Sequence, residues 1–147
     1  MKKMSIPMVA ITALVYMVVA QVIHTISSIL TMGYYTAEQY FPVWSKVMMP
    51  NAGPPPASFY VYALLYAFIG GLMFVIVYNV VKESIPGKSA LKKGVGYGVL
   101  AFAIAGIPMT LTLHLLINLP AALIVAWAFE GLVIYVLNGI ITAKINK

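Results

Sequence analysis

The stretch Pro120–Ala143 reads P-A-A-L-I-V-A-W-A-F-E-G-L-V-I-Y-V-L-N-G-I-I-T-A. As a helix rising about 1.5 Å per residue, it is long enough to cross a bilayer core of about 30 Å. Nearly at its centre stands one acid, Glu130. An ionised carboxylate at that depth costs at least about 2.5–3.5 kcal/mol on insertion scales, so acids within spans usually face protein or water and often mark function. The rest of the chain must therefore hide Glu130 or use it.

Outward from this stretch, three more apolar runs have spanning length: Ile6–Leu30, Phe59–Val81 and Val95–Ile117. Of 147 residues, 63% are hydrophobic and 8% charged, where soluble domains carry about 25% charged residues. The expected fold is an all-α integral membrane protein, one domain over 1–147. Its spans form an antiparallel four-helix transmembrane bundle, with an outer loop over 33–58 and a cytoplasmic loop over 82–94.

All nine basic residues are lysine. If the spans alternate, Lys2, Lys3, Lys82, Lys88, Lys92, Lys93, Lys144 and Lys147 fall on one side and Lys46 on the other. The positive-inside rule then puts both termini in the cytoplasm and the protein in the plasma or inner membrane. The net charge of +6 is explained by orientation and by anionic headgroups as partners; the charges form no patch of the kind nucleic acid needs. Cysteine is absent, which excludes disulfides, thiolate metal sites and c-type haem attachment. Lys2, Lys3 and the apolar run up to Ala20 imitate a secretory leader, but the run continues to Leu30 and is read as an uncleaved first span.

In the first span, Gln21, His24 and Ser28 share one face. The segment Gly33–Ser58 is rich in Tyr and Trp, which favour the headgroup level, with a short helical turn expected over Thr36–Val43. The Pro-rich run Met49–Pro56 reads as a stiff spacer; a docking epitope is the less favoured alternative. Gly70 and Gly71 leave room for close helix approach, as does Gly131. Val95-Gly96-Tyr97-Gly98 copies the heart of a potassium-channel filter, but two lysines precede it and a full span follows. Gly94 and Gly98 read instead as a G-x-x-x-G contact. Pro108 lacks an N–H for the carbonyl of Ile104, which predicts a kink. Beyond it, Thr110, His114 and Asn118 make a second polar face. Tyr66-Ala67-Phe68-x-Gly70 with Phe74-Val75 aligns with Trp127-Ala128-Phe129-x-Gly131 with Tyr135-Val136, the trace of a two-plus-two helix repeat.

Counting about 1.5 Å per residue places Glu130 at the midplane, Gln21 and Thr110 roughly 5 Å outward, and His24 and His114 roughly 9–12 Å outward. These five are the expected buried polar cluster. Three functions follow. The first is a non-catalytic accessory or oligomerising subunit, as a homo-oligomer or beside another membrane protein. The second is an ion or proton channel or transporter subunit that uses Glu130. The third, weighed below both, is a b-type haem or metal site on His24 and His114. No nucleophile–base spacing, acidic metal pair or phosphate loop points to an enzyme.

Overall fold

The computed structural model describes residues 5–51 and 53–146. Among these the α-helices run in the order α1 (Ile6–Leu30), α2 (Met32–Thr36), α3 (Ala57–Val81), α4 (Ala90–Ala101), α5 (Ile107–Leu116) and α6 (Ala121–Ile145), with no strand. A 3₁₀ turn, Glu38–Val43, follows α2, and a π segment, Phe102–Gly106, joins α4 to α5. Because α4, the π segment and α5 make one rod, four rods are long and apolar enough to cross a membrane. Their outer faces carry large apolar side chains all round, such as Ile26, Leu65, Leu111 and Val125. Helices apolar on every face need an apolar surround, so the four rods point to a multi-pass membrane protein.

Local chemistry explains the ends. Pro7 sits in the first turn of α1, and Pro56 and Pro120 immediately precede α3 and α6, where a missing N–H loses no helix bond. The third rod begins at Ala90, ahead of the expected Val95, because Ser89 caps it: its Oγ accepts the N–H of Lys92 at 3.2 Å. In the expected outer loop, Gly33–Thr36 are helical, as part of α2. Val95–Gly98 lies wholly inside α4, a conformation unlike an extended filter. Ahead of Pro108 the helix widens into the π segment, which contains Ile104. Insertion of one residue into the helix ladder is a known answer to a proline that cannot continue it.

The rods pack as two hairpins, α1 with α3 and α4 with α6, joined along α1 and α6. The end that bears Ile6, Val81, Ala90 and Ile145 is here called basal, and the opposite end apical. At the basal end α4 and α6 touch through backbone. A Cβ built on Gly94 would lie 2.5 Å from Ile140 Cα, one on Gly98 2.5 Å from the Tyr135 carbonyl, and one on Gly139 would overlap the Gly94 carbonyl. Beside this seam, Phe74, Tyr78 and Tyr97 are buried with Ile85 and Ala143, and Tyr16 and Tyr135 pack around them. The Tyr97 hydroxyl donates to the Phe74 carbonyl at 2.6 Å. Phe74 and Tyr135, equivalent in the sequence repeat, lie with ring centroids 5.8 Å apart.

At the apical end the covering differs. Leu119, Leu123 and Ile124 are buried under Tyr34, Tyr40, Val43, Trp44 and Trp127, so the segment after α1 folds back as an aromatic cap over the α5–α6 turn. Trp127 Nε1 donates to the Tyr35 hydroxyl at 2.8 Å. Burial holds the Tyr35 phenol above its ordinary range, partly offset by that hydrogen bond.

Candidate functional site

Every fourth residue of α6 from Glu130 onward, namely Glu130, Ile134, Asn138, Thr142 and the capping Asn146, is buried. Spacing by four keeps them on one face, and four of the five are polar. In an apolar helix such a seam must face protein. Its basal end is tied to α1: Asn146 Nδ2 donates to Thr12 Oγ1 at 3.1 Å, and the Thr12 hydroxyl donates to the Met8 carbonyl at 2.8 Å. Midway, Asn138 Nδ2 donates to the Ile134 carbonyl at 3.1 Å. Asn138 Oδ1 and Thr142 Oγ1 have no partner among the described residues.

The Thr12–Asn146 contact sets the register of α1 against α6. Measured from it at about 1.5 Å per residue, His24 stands roughly 18 Å up α1 and Glu130 roughly 24 Å up α6. The α1 imidazole and the α6 carboxyl bridge the remaining rise of about 6 Å with their side chains and meet at the apical end of the seam, Nδ1 against Glu130 Oε1. Depth counting from the sequence set His24 well apical of Glu130; counted from the Thr12–Asn146 contact, Glu130 is the more apical of the two. The Glu130 side chain is 9% exposed, whereas that of His24 is 54% exposed. The pair thus has a closed side, toward the seam, and an open side on the flank of the bundle. The contact joins a ring nitrogen to a carboxyl oxygen, two groups that can share a hydrogen bond.

The other residues of the expected cluster satisfy themselves nearer home. Gln21 Nε2 reaches the Thr25 hydroxyl at 3.4 Å, and that hydroxyl donates to the Gln21 carbonyl at 2.8 Å. Thr110 Oγ1 donates to the Gly106 carbonyl, one turn back in its own helix, at 2.8 Å. His114 lies on an exposed face of α5. Of the five, the structure brings together His24 and Glu130. For haem, His24 directs Nδ1 to Glu130 and keeps Nε2 for any other partner. Among the described residues no group of three or more His, Asp or Glu side chains converges as a metal site.

The packing glycines differ among themselves. Gly94 and Gly98 lie in the α4–α6 seam. A Cβ on Gly71 would meet the Ala13 carbonyl and Tyr16 Cβ at 3.0 Å, on Gly131 only Phe102 at 3.7 Å, and on Gly70 no described atom within 4 Å. Gly70 therefore faces outward within one chain.

Sequence reading passed over Thr12, Asn138, Thr142 and Asn146. For Asn138, Thr142 and Asn146 the signal was present as the spacing by four from Glu130; for Thr12, on another helix, the sequence holds no such signal. The chain matches no protein-family model, no curated protein and no solved structure.

Proposed function

We propose that this chain is a non-catalytic subunit of a membrane assembly, either a homo-oligomer or a complex with another membrane protein. The observation that supports it is the half-open His24–Glu130 pair. A polar pair flanked by lipid tails is unfavourable, since hydrocarbon offers no hydrogen bonds to the exposed imidazole edge. A neighbouring subunit that covers α1 near His24 removes that penalty. Outward-facing Gly70 gives a second place for close approach. The lysines orient the assembly in the cell membrane with both termini cytoplasmic.

The chain has no cysteine of its own, so single cysteines test the proposal cleanly. Thr25→Cys, one residue beyond His24, should form a cross-linked product in native membranes. A Cys at Asn51 should react with an impermeant reagent from outside, and one at Ser89 should not. A Thr25→Cys protein that stays monomeric under cross-linking and in detergent would overturn the assembly; reversed labelling would overturn the orientation.

A second reading has its own observation: an acid–base pair caps a buried polar seam that descends to the basal end. On this reading Glu130 carries a proton or cation. Glu130→Gln keeps the shape and cannot titrate, so it should fold normally and abolish flux in liposomes. In the assembly reading it leaves cross-linking unchanged and there is no flux to lose.

A further inference from the structure

The basal turn between α3 and α4 builds a cavity that neither reading uses. It measures about 380 Å³ and is lined by Lys82, Glu83, Lys88, Ser89, Lys93 and Asn146, among others. The turn is anchored: Ile85 is buried in the aromatic core, and the chain reverses at Gly87, with φ +133°, so tightly that a Cβ there would lie 2.9 Å from Lys92 Cβ. This anchoring sets Lys88 at the lip. Lys93 Nζ donates to the Lys82 carbonyl at 2.9 Å, and Lys82 Nζ donates to the Asn146 carbonyl at 3.0 Å and to Asn79 Oδ1 at 3.4 Å. Both ammonium groups are thus positioned by neutral oxygens, which orient them and leave their charge in place. Among the described residues Glu83 is the one carboxylate lining the cavity, 3.9 Å from Lys93 and 86% exposed. Among the described residues three lysines therefore converge on the cavity against one loosely held acid. In the first turn of α4 the Lys92 N–H is taken by the Ser89 hydroxyl and the Lys93 N–H by the Ser89 carbonyl, while those of Ala90 and Leu91 precede the helix ladder.

We propose that this cavity binds a phosphate ester through Lys82, Lys88, Lys93 and the start of α4. Its volume is within the range of small-ligand sites, and ammonium groups with helix-start N–H groups are the donors such an anion takes. The phosphate can come from an anionic lipid headgroup or from a free phosphate compound. The lipid source rests on the membrane reading above, where the site lies at headgroup level and exposed Val77, Val80 and Leu91 on α3 and α4 offer apolar surface for acyl chains. The free source does not rest on it.

The full chain, purified in nanodiscs of phosphatidylcholine with or without phosphatidylglycerol, is examined by native mass spectrometry for retained lipid, and in detergent by thermal shift against inorganic phosphate. Lys88→Gln with Lys93→Gln should weaken binding roughly 30-fold, at about fivefold per lysine. Lys92→Gln with Lys144→Gln removes the same charge from the same end outside the cavity, and should leave binding within about twofold, since these side chains do not line the site. Retained phosphatidylglycerol that is lost only in the first double variant supports the lipid source. A phosphate shift with the same variant dependence, without retained lipid, supports the free source. Equal loss in both double variants, or no binding by the wild-type chain in either arm, overturns the site. Circular dichroism confirms that the variants are folded, and Lys88→Gln alone, at the exposed lip, tests the site if the double variant unfolds.

Discussion

The basal and apical halves solve the same packing problem in opposite ways. At the basal end, glycine backbone meets backbone along α4 and α6, five aromatic rings fill the space beside them, and Asn146 ties α6 to Thr12 of α1 and to Asn79 of α3. At the apical end α5 has no buried residue, α3 exposes Tyr60, Tyr62, Leu65 and Tyr66, and the aromatic cap covers the α5–α6 turn. The buried seam closes one half, while His24 opens the other. A helix bundle lacks a hydrophobic drive between helices in lipid, so contact must come from close approach and hydrogen bonds. The basal half has both, and the apical half leaves more of its side chains exposed.

The largest effect that would break this contrast is expected in the glycine seam. Gly98→Leu puts a branched side chain into the Tyr135–Val136 backbone and should destabilise the fold by about 3 kcal/mol or more. Gly70→Leu, with open space around it, should leave the fold of one chain unchanged and alter only its oligomer size. Denaturation in mixed micelles with size-exclusion chromatography reads both; equal unfolding by the two substitutions would remove the distinction between the halves.

A smaller effect is expected from Tyr97→Phe, which removes the buried hydroxyl bond to the Phe74 carbonyl. Hydrogen bonds between membrane helices are worth about 0.6 kcal/mol on average and about 1.7 at most, so the same denaturation should shift by about 1 kcal/mol. No shift would mean that the aromatic cluster holds by ring packing alone.

The apical cap should respond least, and optically. The two tryptophans of the chain are Trp44 and Trp127, and both lie in the cap. Because the folded Tyr35 phenol titrates above its unfolded value of 10.0, its contribution to the cap is complete below about pH 10 and is lost as pH rises through the raised value. Tryptophan emission should move to the red in that alkaline window, and Tyr35→Phe should remove the part of the transition that belongs to this phenol. An unchanged profile in Tyr35→Phe would detach the cap from Tyr35.

These residues also show what could be read in advance. Gly94 and Gly98 announce themselves by a spacing of four, whereas their partner Gly139 stands alone and is visible only where α6 crosses α4. Glu130 is conspicuous as the acid in an apolar run. Its contact with His24 is not, because depth along separate helices cannot be counted until their offset is known. Pro108 signals a break in the ladder, but whether that break becomes a kink or a widened turn depends on the packing of Phe102 over Gly106 and against Tyr135.

Composition and periodicity by themselves determined four long apolar helices, the tolerance of Pro7 in the first turn of α1, and the need to bury one acid, since these follow from transfer energies and local backbone chemistry along the chain. Tertiary structure alone decided which glycines touch, that the side chains of His24 and Glu130 meet across α1 and α6, and that Lys82, Lys88 and Lys93 converge on one cavity. Each of these depends on the offset and rotation of one helix against another, and nearly uniform apolar surfaces encode neither in their own pattern.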